Sequence, residues 1–296
     1  MAIGGDHFVF HGRERSSSEL TRQVAGPRVR RAHVTHMHGG ETVRFKGRVA
    51  LITAAGRGIG RATAEIIGRE GGTVVGVEVD KDALDQAVSA VRAAGGTAQG
   101  LVADALDASQ VAATVKRVVD EHGRIDILVN AVGGSTIIAR PAAQVDELTL
   151  DEWQKLLHFN LTGTFLFSNA VAPVMKRQRS GKIVNISSIA GRGLSPSSSS
   201  AYATAKGGII AFTRKLSFEL GPFGVTVNAI APSLTLSPRL RPRWDQMSPE
   251  DRAREEARVP LGRVALPEDQ ARVICFLASS DADFVTGVTI DVNGGQ

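Results

Sequence analysis

From Arg48 onward, short apolar runs alternate with longer segments that have helical spacing. The seven apolar runs read RVALITAA, TVVGVEV, AQGLVA, IDILVNAV, GKIVNIS, VTVNAIA and VTIDV. Runs that are apolar throughout are typical of parallel strands buried on both faces, and the segments between them are long enough for helical crossovers. Because such crossovers are right-handed, the alternation predicts an α/β domain with a doubly wound parallel sheet of about seven strands.

Polar residues follow the apolar runs at the predicted carboxyl ends of the strands. In chain order these are the segment TAAGRGIG, Glu78, Asp104, Asn130, the pair Ser187–Ser188, and Pro232. Ligands of doubly wound sheets bind at this edge. The sequence therefore predicts one functional site there, built from the ends of several strands.

The first 46 residues differ from the rest of the chain. They carry eight Arg or Lys against four Asp or Glu, whereas the remaining 250 carry 27 against 26. We interpret residues 1–41 as a basic, disordered extension and residues 42–296 as one folded domain. Met37 is a hypothetical alternative translational start. A metal site in the histidine cluster at 33–38 is disfavoured, because no cysteine or carboxylate pattern supports it.

Charge and cysteine content argue against several classes of protein. The basic charge belongs to the extension, so the domain lacks the excess expected of a nucleic-acid-binding surface. No apolar run approaches the ~18 residues of a membrane helix. Cys275 is the only cysteine, which excludes an internal disulfide and fits a reducing, cytoplasmic location. We expect Cys275 to be a buried small hydrophobe.

The segment TAAGRGIG follows the first strand and opens a helix. Glycines at this junction let the backbone approach a pyrophosphate, and the helix N-terminus offers it free N–H groups. The sequence therefore predicts a dinucleotide site. The loop residues assigned to it are Thr53, Gly56, Arg57, Gly58, Ile59 and Gly60.

Glu78 ends the second strand, 18 residues after Gly60. A carboxylate at this position accepts hydrogen bonds from an adenosine ribose diol and repels a 2′-phosphate, which favours NAD over NADP. Arg57 is the opposing signal, because a guanidinium in the loop can bind a 2′-phosphate. Its alternative interpretation is a solvated loop residue. NAD is the predicted cofactor and NADP the less favoured alternative.

Tyr202 is the only tyrosine, and Lys206 follows it by four residues at the start of a helical pattern. The two side chains therefore share one helix face. A free phenol has a pKa near ~10 and is a poor acid–base group at neutral pH, but a nearby ammonium lowers that pKa. Ser188 can polarise a substrate carbonyl from the end of the fifth strand. Asn160 is a polar residue inside a long helical segment, where a buried amide is the alternative interpretation.

With these residues in place, the chain resembles the short-chain dehydrogenase/reductase family, and in particular its 3-oxoacyl-carrier-protein reductase-like members, over residues 42–296. The matching segments are TAAGRGIG, ILVNAVGG, FNLTGTF, KIVNISS, YATAK, VNAIAP and VTGVTIDVNGG. The resemblance implies a Rossmann-type fold, hydride transfer to or from nicotinamide, and a catalytic tetrad. The tetrad falls on Asn160, Ser188, Tyr202 and Lys206. Further cofactor contacts are implied at Asp104, Ala105, Asn130, Pro232, Ser237 and the two tetrad residues Tyr202 and Lys206.

Several positions depart from the family pattern. Ala54 replaces the first loop glycine, which we expect to narrow the loop. Ser233 replaces the glycine after Pro232, and Ser237 replaces a threonine while keeping the hydroxyl. The connection before Tyr202 has one residue more than is common, and we interpret its serine run as a flexible wall of the site.

The segment at about 234–266, which we interpret as a substrate lid, allows two interpretations of its charge. It contains seven arginines: Arg239, Arg241, Arg243, Arg252, Arg254, Arg258 and Arg263. Arginine suits carboxylate or phosphate recognition, which favours an anionic substrate. The interleaved acidic residues favour instead a charged lid without that role, and we prefer this second interpretation.

The resemblance leaves three functions open. The first is NAD-dependent interconversion of a secondary alcohol or diol and a ketone, and the second is NADPH-dependent reduction of a 3-oxoacyl carrier protein. The third is a catalytically silent dinucleotide sensor, which the intact tetrad disfavours. The resemblance also implies a homotetramer or homodimer. We expect a small-molecule alcohol or ketone as partner, with no nucleic acid and no membrane.

Overall fold

The seven strands coincide with the seven apolar runs. The computed structural model describes residues 43–195 and 197–296, so the predicted extension and its histidine cluster lie outside the described residues. The strands are β1 (Val49–Thr53), β2 (Thr73–Glu78), β3 (Thr97–Val102), β4 (Ile127–Asn130), β5 (Gly181–Ile186), β6 (Val225–Pro232) and β7 (Thr289–Val292). They pair in parallel in the order β3-β2-β1-β4-β5-β6-β7. The predicted doubly wound, Rossmann-type sheet is confirmed.

Helices connect successive strands. They are α1 (Gly58–Arg69), α2 (Lys81–Ala93), α3 (Ala108–His122), α4 (Leu150–Leu157), α5 (Gly163–Gln178), α6 (Ser200–Leu220), α7 (Arg241–Asp245), α8 (Pro249–Ala257) and α9 (Pro267–Ala278). A π turn at His158–Thr162 separates α4 from α5. Among the helices of the described ranges, none has the length and apolarity needed to cross a bilayer.

The two faces of the sheet bury separate cores. Ala50 and Ile52 of β1 belong to a core formed with α1 and α9, whereas Val49 and Leu51 belong to one formed with α3, α5 and α6. Successive side chains of a strand point to opposite faces, so a strand buried in two cores must be apolar throughout. Cys275 is fully buried in the first core, where burial raises its pKa to about 12. This confirms its expected role as a core residue.

The sheet has a switch point between β1 and β4. The chain runs outward from β1 through β2 to β3, then returns to lay β4 against the other edge of β1. The connections after β1 and β4 therefore diverge and leave a crevice at the carboxyl ends of these strands. The segments predicted to bind the dinucleotide and to carry the tetrad meet at this crevice.

Candidate active site

The dinucleotide loop joins β1 to α1. At Gly60 a Cβ would lie 2.3 Å from the Ala54 carbonyl oxygen, so this close approach of loop and helix requires glycine. No side chain caps α1, whereas Asp80, Asp107 and Ser199 cap α2, α3 and α6. The first N–H groups of α1 are therefore available to an anion, and the loop fits a pyrophosphate.

Ala54 adopts a backbone conformation that favours glycine. Its φ is +49°, in the left-handed region, which costs a residue with a Cβ about 1–2 kcal/mol. In the structure, the replacement of the family's loop glycine by Ala54 therefore strains the backbone.

Glu78 and Arg57 flank the predicted adenosine end of the site. A Cβ on Gly56 would lie 3.0 Å from the Glu78 Cγ, so the acidic side chain lies against the loop. Arg57 Nη2 donates to Asp80 Oδ2 at 2.6 Å. The pKa of Asp80 is lowered, first by the N–H bond from Ala83 that caps α2 and then by Arg57. Asp80 was not predicted as part of the site, although an Asp directly before a helix is a recognisable cap signal.

The side chains of Thr53 and Asn130 are buried beneath the crevice. Thr53 Oγ1 accepts a hydrogen bond from the Ala131 N–H at 2.9 Å. Asn130 Nδ2 donates to Ser168 Oγ at 3.0 Å and to Asn185 Oδ1 at 2.8 Å. Both residues were predicted to contact the cofactor. Their side chains hold neighbouring strands and helices together, and the predicted cofactor contact stays a prediction.

The other predicted cofactor residues lie along the carboxyl edge. Asp104 is exposed and Ala105 is buried just after β3, and Pro232 is the buried last residue of β6. Ser237 lies against the dinucleotide loop, since a Cβ on Gly58 would be 3.4 Å from the Ser237 Cβ. The start of the lid therefore meets the dinucleotide loop.

Ser199 fixes the first turn of α6, which carries the catalytic pair. Its Oγ accepts the Tyr202 N–H at 3.3 Å, and its own N–H donates to the Pro141 carbonyl at 2.9 Å. Ser199 is only 1% exposed. Ser199, the third of the four serines at 197–200, is therefore a buried helix cap, and the interpretation of the run as a flexible wall does not hold for it.

Lys206 is buried one turn after Tyr202. It is 2% exposed, and its Nζ donates to the Ile186 carbonyl at 2.9 Å. Burial lowers the pKa of Lys206 to about 7. A Cβ on Gly133 would lie 2.7 Å from Lys206 Nζ and 2.8 Å from Asn160 Oδ1. Only glycine at this position lets the lysine and the asparagine come together.

The π turn places Asn160. A continuous helix was predicted over 150–178, but the π turn interrupts it, and such insertions are frequent at functional sites. Asn160 is fully buried and exchanges two hydrogen bonds with Gly134, accepting its N–H at 2.8 Å and donating to its carbonyl at 3.1 Å. Asn160 Nδ2 also donates to the Leu156 carbonyl at 2.9 Å. The asparagine thus fixes the turn after β4 against the tetrad.

The pKa of Tyr202 is raised in the free protein, and its lowering in the protein with bound dinucleotide stays a prediction. Burial raises its pKa above the ordinary 10.0, opposed first by a hydrogen bond with Ser188 and then by the charge of Arg239. Lys206 Nζ lies 5.8 Å from the Tyr202 ring centroid.

The lid begins and ends at one point of the fold. A parallel bridge joins Thr235 to Ala265, with the Leu236 N–H donating to the Ala265 carbonyl at 2.8 Å. The two ends of the predicted lid at 234–266 are therefore joined, and the segment between them contains α7 and α8.

Most lid arginines form local contacts. The ion pairs are Arg241–Asp245, Arg254–Asp251, Arg258–Glu255 and Arg263–Asp269, and Arg252 donates to the Met247 carbonyl. These contacts agree with a charged lid, because the interleaved acidic residues are the partners. Within the described residues Arg239 and Arg243 have no carboxylate partner.

Comparisons with known proteins agree with this geometry. A family model described as Enoyl-(Acyl carrier protein) reductase matches residues 53–296. The short-chain reductase protein NovJ of Streptomyces niveus is 42% identical over 255 residues, which cover 84% of this chain and 93% of NovJ. The cyclohexanol dehydrogenase of Rhodococcus sp. (strain TK6) is 39% identical over 265 residues, 85% of this chain and 96% of that protein.

A solved structure shares the architecture. The 3-oxoacyl-(acyl-carrier protein) reductase of Brucella melitensis with bound NAD has a TM-score of 0.76 at 34% identity, covering 89% of this chain and 97% of that chain. These matches extend over the dinucleotide loop, the tetrad and the lid. The chain therefore belongs to the short-chain dehydrogenase/reductase family, as its motifs predicted.

Proposed function

We propose that the protein interconverts a secondary alcohol and a ketone by hydride transfer, with NAD as its preferred cofactor and Tyr202 as the general acid–base group. This proposal starts from the family's oxidoreductase activity on alcohols and ketones. The observation that carries it is the meeting of Lys206, Asn160 and the Gly133 turn at the crevice, one helical turn from Tyr202.

Each tetrad residue has a role that its position supports. In the oxidation, the bound nicotinamide supplies the hydride acceptor. Tyr202, in its phenolate form, takes the hydroxyl proton, and Ser188, whose side chain interacts with the phenol, orients the substrate oxygen. Lys206 is positioned to hold the nicotinamide ribose. Asn160 acts as a positioning residue because it fixes the turn after β4.

Two carboxylates support the preference for NAD. Glu78 lies against the loop, and Asp80 pairs with the guanidinium that could otherwise bind a 2′-phosphate. A phosphate at this position would face both negative charges. NADPH-dependent 3-oxoacyl-carrier-protein reduction is the second candidate; the similarity to the Brucella melitensis reductase supports the reaction, although that protein was solved with NAD.

The assay is a panel of secondary alcohols, diols and hydroxy acids with NAD⁺ and NADP⁺, and of ketones and 3-oxoacyl thioesters with the reduced cofactors. We expect turnover with NAD⁺, and Tyr202→Phe to reduce kcat by about 10²- to 10⁴-fold while the dinucleotide still binds. Dinucleotide binding without turnover over the whole panel would instead support a sensor.

An apolar face on α5 and α6 supports a homotetramer or homodimer. Phe165 is 47% exposed and packs edge-to-face on Phe212, with ring centroids 6.4 Å apart. Phe218, on the same helix as Phe212, is 65% exposed. We expect a second copy to cover this face, and light scattering would detect the resulting oligomer. We also expect the protein to be located in the cytoplasm.

A further inference from the structure

Arg239 is the lid arginine that reaches the tetrad. Its Nη1 donates to the Gly133 carbonyl at 3.2 Å, and a Cβ on Gly134 would lie 2.2 Å from the same nitrogen. Gly133 and Gly134 form the turn that Asn160 holds against Lys206. The guanidinium therefore lies in the crevice, beside the groups proposed to carry out the chemistry.

The charge of Arg239 is not neutralised by the protein. Unlike most arginines of the lid, it has no carboxylate partner within the described residues, and its one hydrogen bond there goes to the Gly133 carbonyl. The side chain is exposed, so most of its N–H groups face the crevice or solvent. A guanidinium presents paired donors that match the two oxygens of a carboxylate.

A cavity begins one residue after this arginine, at Leu240. It has a volume of about 460 Å³ and lies between the lid and the connection after β4. Its apolar walls are formed by Pro141, Leu234, Leu236, Leu240, Trp244 and Met247, and the charged residues Arg140, Glu147, Arg243 and Glu255 also line it. Leu240 directly follows Arg239, and the lining residue Ser197 lies just before the cap of α6. The volume lies in the range of pockets that bind small organic molecules.

We propose that Arg239 binds a carboxylate of the substrate whose apolar body fills the lid cavity, so that the substrate is a small apolar hydroxy acid or the corresponding oxo acid. This inference rests on the proposed function and names its substrate class. In the oxidation the carbinol hydrogen leaves as hydride to NAD⁺ and the hydroxyl proton passes to Tyr202. A C=O bond forms, and the carboxylate is unchanged.

The other anion within reach is the pyrophosphate of the dinucleotide, because Ser237, two residues before Arg239, lies against the loop at Gly58. The test must therefore separate substrate from cofactor. Isothermal titration of the protein saturated with NADH compares two isosteric probes, cyclohexanecarboxylate and cyclohexanecarboxamide. The variants are Arg239→Gln and, as a matched control on the same lid, Arg254→Gln, whose side chain pairs with Asp251.

We expect the wild type to bind the carboxylate about 10- to 100-fold more tightly than the amide, as a charge-assisted hydrogen bond provides. Arg239→Gln should remove this preference and leave NADH affinity unchanged, and Arg254→Gln should keep the preference. Equal affinity of the wild type for both probes would overturn the proposal. So would an Arg239→Gln protein that keeps the preference but binds NADH more weakly, because its guanidinium would then belong to the pyrophosphate.

Binding is measured here without turnover. If the wild type shows the carboxylate preference but oxidises no alcohol of the panel, the proposed function fails and the anion site stands.

Discussion

Replacing Lys206 with methionine tests whether this lysine, which we propose to be catalytic, is desolvated. Burial lowers its pKa from the ordinary 10.5 to about 7, so between these values the unfolded chain binds more protons than the folded one. The free energy of unfolding of the wild type should therefore rise with pH across this range. We integrate the difference in bound protons between the unfolded and the folded chain from pH 7 to pH 9, which gives about 1.7 pH units. The free energy of unfolding therefore rises by about 2 kcal/mol over this range.

Lys206→Met lacks this contribution, while the other ionisable groups are shared and cancel. We expect the free energy of unfolding of the wild type minus that of the variant to increase by about 2 kcal/mol between pH 7 and pH 9. Urea unfolding at both pH values, at one protein concentration, measures it. Lys215→Met is the control, because Lys215 is 74% exposed. A difference that does not change with pH for Lys206→Met would refute the claim that this lysine is desolvated.

Three further substitutions test other parts of the site. Ala54→Gly should raise the free energy of unfolding by about 0.5–1 kcal/mol, because relief of the positive φ exceeds the extra entropy of an unfolded glycine; a lower melting temperature would contradict this. Ser199→Ala should lower it by about 1 kcal/mol through loss of the α6 cap, and unchanged urea unfolding would refute that role. Glu78→Gln should raise kcat/KM for NADP⁺ relative to NAD⁺ by about 10-fold or more, since it removes a charge that repels the 2′-phosphate. Asp85→Asn, an exposed change on α2, is its control and should leave the ratio unaltered.

The sheet could be predicted because its signal is local. Every residue of β1 is buried, and a strand enclosed by helices on both faces has to be apolar along its whole length. The dinucleotide loop and the Tyr202–Lys206 pair could also be predicted, because their chemistry depends on spacing within one turn or one helix.

Features that depend on contacts between distant segments could not be predicted. The sequence does not indicate which way Thr53 and Asn130 point, and the structure shows both side chains in hydrogen bonds to neighbouring elements. A single π turn adds only one residue to the helical repeat, which is too short a change to recognise from apolar spacing, so the interruption at Asn160 was missed. The raised pKa of Tyr202 in the free protein could also not be predicted, because it depends on burial in the fold.

The pairing of Arg57 with Asp80 could be predicted only in part. The position of Asp80 before α2 indicates a helix cap, and the structure shows the same carboxylate holding the loop arginine. The Asp80 side chain thus caps α2, which the sequence indicates, and also holds the dinucleotide loop near the end of β2, which only the structure shows.

Titration of the single tyrosine tests whether Tyr202 is the acid–base group that faces the cofactor. Ultraviolet difference titration of the folded protein reports one phenol, since Tyr202 is the only tyrosine in the chain. We predict a pKa above 10.0 in the free protein and a lower value in the protein saturated with NAD⁺, because the positive nicotinamide ring favours a phenolate beside it. The same pKa with and without NAD⁺ would contradict the placement of Tyr202 as the acid–base group facing the cofactor.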